Sequence, residues 1–353
     1  MRELQTTVKD LFSRMNEEDV RKSGSEYIAP PCLKKGGTIG VVAPSSAFDP
    51  EYVARAIAYL KKKGYKVKLG DTVRNLYDRD LTAAGDKTRA ADVMKAFTDP
   101  DVDAIFTATG GYGSIRTIKH LNFDVIRKNP KIMVGFSDTT GILNVITSKS
   151  KIITFVGPSM ELGQDDEVGE MSMDSLLEMI SKPVDRFELT FPKHLSMVRE
   201  LPTHRNGMDK FYEGTLFGGN LTLISNMIGT PYCIPKLEEG LILALEEISE
   251  PAYEIDSKIQ QLEDSGVLHV LTPVLLGEFV KIVAETPSSR KEEEAEISVS
   301  SMLRQRFAEH QAPVLSGWLF SHGKNWNMTL PIGAKLRIDP AALTVTVLSP
   351  VVL

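Results

Sequence analysis

Cysteine is almost missing from this chain: Cys32 and Cys233 are the only two in 353 residues. That excludes a disulfide framework and leaves at most one bridge. Neither thiol sits where a nucleophile would, since Cys32 follows Pro30-Pro31 and Cys233 precedes Ile234-Pro235. No apolar run is long enough to cross a bilayer, and the first 21 residues mix charge among their apolar positions without a signal-peptide core. A cytoplasmic location with no membrane partner is expected. An excess of positive charge is missing as well. Lys and Arg number 41 against 47 Asp and Glu, a net charge of −6, so there is no electrostatic reason to expect nucleic acid. Metal signatures are absent too: there is no His-Glu-x-x-His, no Cys-x-x-Cys and no close His/Asp cluster. Neither the Walker pattern nor Gly-x-Gly-x-x-Gly occurs. No metal and no cofactor are expected.

What is present is an ordinary globular composition in a chain long enough for two domains. Residues 1–35 read as a polar, partly helical extension ending at Pro30-Pro31. From Thr38 onward strand and helix patterns alternate, with strands expected at 38–43, 65–69, 104–108, 131–136 and 152–156. Helices are expected at 51–63, 89–97 and 138–148. This alternation implies a parallel sheet covered on both faces, with ligands at the carboxyl ends of its strands. Residues 36–165 form this unit. Residues 166–212, with Pro183, Pro192 and Pro202, read as a connection carrying a short helix near 173–180. Residues 213–353 form a second, mixed unit. It has a helix after Gly218-Gly219-Asn220 and another at 253–264, with strands at 241–245, 267–276, 314–319, 335–338 and 344–348. The run Lys291-Glu292-Glu293-Glu294 is expected to start a solvated helix.

The chemistry concentrates in few places. In Gly135-Phe136-Ser137-Asp138-Thr139-Thr140 an apolar strand meets a helix, so Ser137 sits at a sharp turn beside the first amides of that helix. Such a serine either presents its hydroxyl as a nucleophile or caps the helix. A nucleophile requires a base. His322 lies in the polar loop Ser321-His322-Gly323 just past an apolar strand, unlike the other five histidines. Glu246 and Glu247 end the apolar strand 241–245, where a carboxylate is held still enough to orient a histidine. The loop Gly110-Gly111-Tyr112-Gly113 suits an oxyanion site, a phosphate cradle or a plain turn.

Taken together and in order, these segments resemble the LD-carboxypeptidase family of serine peptidases. The resemblance rests on Gly110-Gly111-Tyr112-Gly113, Gly135-Phe136-Ser137-Asp138-Thr139-Thr140, Gly218-Gly219-Asn220-Leu221, Leu245-Glu246-Glu247 and Ser321-His322-Gly323, followed by Thr329-Leu330-Pro331-Ile332-Gly333. It spans about residues 38–348. It implies an α/β fold: a flavodoxin-like (class I glutamine amidotransferase-like) N-terminal domain with a parallel sheet, and a smaller mixed α/β C-terminal domain. It also implies a homodimer and a triad of Ser137, His322 and Glu246. The N–H groups of Gly111 and Asp138 would form the oxyanion hole, and Gly110, Tyr112 and Asn220 would bind substrate. The implied reaction is release of terminal D-alanine from a cytoplasmic murein tetrapeptide, a small peptide cut at an L-to-D bond. A related branch, the microcin C self-immunity peptidases, hydrolyses peptidyl or aminoacyl nucleotide conjugates. That branch carries tryptophan in the connection, where this chain has Phe211 and Tyr212. A third possibility, outside catalysis, is a phosphate- or sugar-binding module. A glutamine amidotransferase activity is disfavoured because the elbow lacks cysteine.

Overall fold

The computed structural model describes residues 26–74, 81–163, 166–190, 211–237, 240–282, 292–323 and 326–353. In the first half, strands β1 (Thr38–Val42), β2 (Lys66–Leu69), β3 (Ala104–Thr107), β4 (Ile132–Gly135) and β5 (Thr154–Val156) are parallel and ordered 2-1-3-4-5. Strands β3, β4 and β5 are buried at every residue, as a sheet covered on both faces requires. Helices α1 (Pro50–Lys62), α2 (Asp71–Arg74), α3 (Asp86–Thr98), α4 (Ser114–Ile118), α5 (Phe123–Lys128) and α6 (Thr140–Ser150) connect them. Local chemistry sets the start of α1. Asp49 accepts the Glu51 N–H at 2.8 Å and Pro50 occupies the first turn, while Val53, Ala56 and Leu60 face the core.

The second half contains β6 (Phe187–Glu188), β7 (Tyr212–Asn220), β8 (Leu241–Ile248), β9 (Val274–Val280), β10 (Val314–Leu315), β11 (Leu330–Ile332), β12 (Lys335–Asp339) and β13 (Thr344–Val347). Its helices are α7 (Glu167–Ser181), α8 (Leu221–Asn226), α9 (Ala252–Asp264) and α10 (Glu292–Arg306). Seven strands form its sheet in the order β10-β9-β8-β7-β12-β13-β6. Strands β7 to β10 are parallel, while β12, β13 and β6 pair antiparallel. Strand β11 instead crosses to the first sheet and pairs antiparallel with β5. With seven strands against six, the second sheet is not the smaller of the two.

The two halves meet where α6 lies on β7. The Asn144 side chain donates to Gly218 O and accepts from Gly218 N–H, both at 2.9 Å. Gly218 and Gly219 have φ of 126° and 127°. A Cβ on Gly219 would lie 2.8 Å from Thr140, and one on Gly218 would strike the Ala244 backbone. Gly219 lets the helix approach the strand and Gly218 lets β8 approach it, which explains why a nine-residue central strand carries so little strand signal. The sequence pattern marked only a helix after it.

Other expectations need correction. Residues 26–35 are not an extension. Ile28 bridges to Ile152, Cys32 N–H donates to Leu353 O at 2.7 Å, and Tyr27, Ala29 and Leu33 are buried. Residues 1–25 lie outside the described residues, as do 191–210 of the expected connection. The helix in that connection runs over Glu167–Ser181, longer than expected, because Asp166 caps it by accepting the Gly169 N–H at 2.8 Å. The strand placed at 267–276 begins only at Val274, since His269 to Thr272 form a turn in which Thr272 N–H donates to His269 O at 2.7 Å. The strand placed at 314–319 stops at Leu315, two residues before Gly317, whose φ is 78°. Helix α10 does start at Glu292. Cys32 and Cys233 are both free.

Tyr27 is the test of the corrected N-terminal boundary. It is buried, with its ring edge-on to Phe217 of β7 at 5.8 Å between centroids. Tyr27→Ala is expected to lower the unfolding free energy by about 3 kcal/mol, the cost of deleting a large buried ring. Urea denaturation monitored by circular dichroism measures this, and an unchanged midpoint would mean that the segment adds nothing to the core.

Candidate active site

Ser137 stands two residues past the end of β4 and has φ 57°, a left-handed conformation that non-glycine residues avoid. Holding it there costs about 1–3 kcal/mol, and the surroundings over-determine it. Residues Ser137–Thr139 form a single 3-10 turn leading into α6, and Thr139 Oγ1 donates to Phe136 O at 2.8 Å. A Cβ on Gly135 would strike Thr139 and Thr107, so only glycine permits the turn. The Gly110–Gly113 loop lies against the serine, since a Cβ on Gly110 would fall 2.6 Å from Ser137 Cβ and 3.1 Å from its Oγ.

Asp138 joins this loop to the elbow. It is buried, and its carboxylate accepts the N–H of Ser114 at 2.7 Å and of Gly113 at 3.2 Å, while Ser114 Oγ donates to Asp138 O at 2.5 Å. From the other side, Ser46 N–H donates to Gly110 O at 3.2 Å and Ser46 Oγ accepts the Tyr112 N–H at 2.8 Å. Arg89, wholly buried, donates to Gly113 O at 2.8 Å, to Ala84 O at 2.9 Å and to Pro44 O. The loop is therefore held by hydrogen bonds at Gly110, Tyr112 and Gly113.

The second half supplies a histidine and a carboxylate. Glu246, on β8, has no exposed surface, and its Oε2 lies 2.7 Å from His322 Nδ1. Complete burial raises the Glu246 carboxyl above its usual range, and the His322 contact opposes the rise. With the carboxylate accepting, Nδ1 carries the ring proton and Nε2 is the basic nitrogen. Nε2 is buried and has no hydrogen-bond partner among the described residues. The imidazole packs on Phe136, next to Ser137, at 4.6 Å between ring centroids. Ser137 and His322 line one cleft of about 870 Å³, together with Thr109, Gly110, Gly111 and Glu161. No hydrogen bond links Ser137 to His322.

Neighbouring Glu247 has other duties. Its carboxylate accepts Asn220 Nδ2 at 2.9 Å, Thr222 N–H at 2.8 Å and Thr222 Oγ1 at 2.6 Å. Asn220 is buried and caps α8 by accepting the Leu223 N–H at 3.2 Å. Neither Asn220 nor Tyr112, whose side chain is half exposed, is among the residues lining the cleft. No group of three or more His, Cys, Asp or Glu able to hold a metal occurs among the described residues.

A family model described as LD-carboxypeptidase N-terminal domain matches residues 39–157, and one described as LD-carboxypeptidase C-terminal domain matches 213–338. The chain belongs to the LD-carboxypeptidase family. It is 33% identical over 320 residues to a Bacillus subtilis (strain 168) protein named "Probable murein peptide carboxypeptidase", covering 90% of this chain and 93% of that one. It is 28% identical to the microcin C7 self-immunity protein MccF of Escherichia coli, with 87% and 92% covered. Among solved structures, the muramoyltetrapeptide carboxypeptidase from Oxalobacter formigenes superposes with a TM-score of 0.68 at 28% identity, over 88% of this chain and 97% of that one. As a member of this family the chain is a serine-type carboxypeptidase, a hydrolase.

The LD-carboxypeptidase geometry also includes a residue that the sequence pattern did not single out. Opposite Glu246, β9 bulges: Leu245 pairs with Leu276 but Glu247 pairs with Phe279, so Gly277 and Glu278 share one position. Glu278 thereby reaches Ser321 Oγ, which in turn accepts the Gly323 N–H at 2.9 Å. The carboxylate holds the Ser321 hydroxyl, which in turn closes the turn carrying His322. The glycine inside an apolar strand was the available signal. Glu278→Ala is expected to lower kcat about ten- to hundredfold through misplacement of His322. KM should change little, and Gln, which still accepts from Ser321, should recover most of the rate. Steady-state kinetics of the two variants measure this, and equal losses would contradict a positioning role.

Proposed function

We propose that this enzyme is a serine carboxypeptidase that removes terminal D-alanine from cytoplasmic murein tetrapeptides by cutting an L-to-D bond. The observation that carries the proposal is the Glu246–His322 pair placed in one cleft with the strained Ser137. His322 Nε2 takes the proton of Ser137 Oγ as the oxygen attacks the scissile carbonyl, and Glu246 stabilises the resulting imidazolium. The N–H groups of Gly111 and Asp138 receive the negative charge on the carbonyl oxygen. His322 then gives its proton to the leaving D-alanine and activates the water that hydrolyses the acyl-enzyme. The flavodoxin-like reading of the first domain is supported by its strand order 2-1-3-4-5, with the 110–113 loop and Ser137 at the carboxyl ends of β3 and β4. The family's homodimer is retained as part of the same proposal.

A second reading, hydrolysis of peptidyl or aminoacyl nucleotide conjugates, is favoured by the likeness to MccF. Against it, no tyrosine or tryptophan lines the cleft among the described residues, and Phe136 already faces His322. Phe211 is stacked under Arg337, at 5.2 Å from the guanidinium to the ring centroid, rather than in the cleft. Incubation with a murein tetrapeptide and with a peptidyl-sulfamoyl adenosine, followed by mass analysis of the products, separates the two readings. Release of D-alanine supports the first, and cleavage of the conjugate alone would replace it with the second.

Ser137→Ala is expected to abolish turnover while leaving the thermal midpoint in place. Glu246→Gln should lower kcat by roughly 10³- to 10⁴-fold, because the amide favours the wrong histidine tautomer. Glu247→Gln should act on stability instead, with kcat kept within about tenfold since it does not touch His322. Kinetics paired with thermal melts test this, and the reverse ranking of the two glutamates would reassign the acid.

A further inference from the structure

One carboxylate in the cleft has no part in the mechanism. Glu161 lines it beside Thr109, Gly110, Ser137 and His322. Its carboxylate accepts Ser159 Oγ at 3.3 Å, and Thr109 lines the cleft with it. Among the described residues it forms no ion pair, and no lysine or arginine lines the cleft. The surrounding protein pushes its carboxyl above the usual range, Thr109, Ser159 and the charge of His322 opposing the rise and Asp49 adding to it. Asp166, the other acid lining the cleft, is occupied with the N–H groups of Gly163 at 3.2 Å and Gly169 at 2.8 Å. The Glu161 carboxylate is exposed at the cleft beside Ser137 and His322, open to a cationic group brought by a substrate.

We infer that Glu161 is a specificity-determining residue that receives an ammonium group on the acyl side of the scissile bond. This rests on the carboxypeptidase reading. The leaving D-residue ends in a carboxylate, which Glu161 would repel, so the leaving side does not offer the partner. Two substrate features supply the same chemistry: the side-chain amine of a diamino acid preceding the terminal residue, or a free α-amine on the acyl group itself. Pairing with the substrate satisfies Glu161 and fixes the acyl group against Ser137.

The test uses two pairs of substrates with the full-length enzyme and its Glu161→Gln variant. The first pair is N-acetylated tetrapeptides ending in L-lysyl-D-alanine or L-norleucyl-D-alanine. The second is L-alanyl-D-alanine with its α-amine free or acetylated. The wild type should prefer the charged member of one pair by about ten- to hundredfold in kcat/KM, the scale of one hydrogen bond to a charged group. The pair that shows the preference identifies the source of the ammonium. In Glu161→Gln that preference should collapse to near unity. A wild type indifferent within both pairs, or a variant that keeps the preference, would overturn the inference. An equal loss on both members of a pair with a displaced pH profile would overturn it too, by making Glu161 a modulator of His322. Calorimetric binding of the same peptides to Ser137→Ala and to Ser137→Ala/Glu161→Gln reads the subsite without turnover. Absent hydrolysis with a Glu161-dependent binding preference would sink the carboxypeptidase reading alone, whereas absence of both would sink the two together.

Discussion

The geometry of the site depends on the contact between α6 and β7. Ser137 opens the turn that becomes α6, and Glu246 lies on β8, the neighbour of β7, where Asn220 pairs with it in register. The reciprocal hydrogen bonds of Asn144 with the Gly218 backbone, and the bare Gly219 against Thr140, fix the distance between these elements. In a dry interface an amide pair of this kind has one good arrangement, because each unmet donor or acceptor would cost its full desolvation. A side chain at Gly219 would strike Thr140 of α6, and one at Gly218 would strike the Ala244 backbone of β8, so either would disturb the frame that places Glu246 and His322 beside the serine.

On that frame the charges divide into those that are satisfied and those that await a substrate. Asp138, Arg89, Glu247 and Glu278 are spent on holding backbone: the glycine loop, the α8 cap and the His322 turn. Glu246 bonds His322, and with the carboxylate wholly buried that bond, aided by Asn220, supports its charge. His322, with Nε2 unpartnered among the described residues, and the exposed Glu161 both line the cleft. Rigid, fully bonded loops around a few under-satisfied groups are what preorganised catalysis requires.

The sequence disclosed its candidate site residues more readily than its element boundaries. Strands β1 to β5 and the elbow could be read because apolar runs alternated with helical periodicity, and Ser137, Glu246 and His322 because each ends or follows such a run. Strand β7 was illegible, since Gly214, Gly218 and Gly219 erase the apolar alternation that marks strands, and their reasons lie in distant contacts with β8 and α6. The segment 26–33 read as polar extension because its burial comes from distant partners, Ile152, Ile180 and Leu353. Glu278 depends on a register shift, which no one-dimensional pattern shows. Asn220 was noticed for the right motif, and its side chain is bound to Leu223 and Glu247 rather than turned to the cleft.

The central claim is that Ser137 becomes acylated. Mixing the enzyme with an N-acetylated tetrapeptide ending in D-alanine, quenching in acid during the first turnover and mapping the peptides by mass spectrometry tests it directly. The account predicts the mass of the shortened acyl group on the peptide containing Ser137, in the wild type and not in Ser137→Ala. D-alanine released at full rate while Ser137 stays unmodified, or an acyl group on another residue, would contradict it.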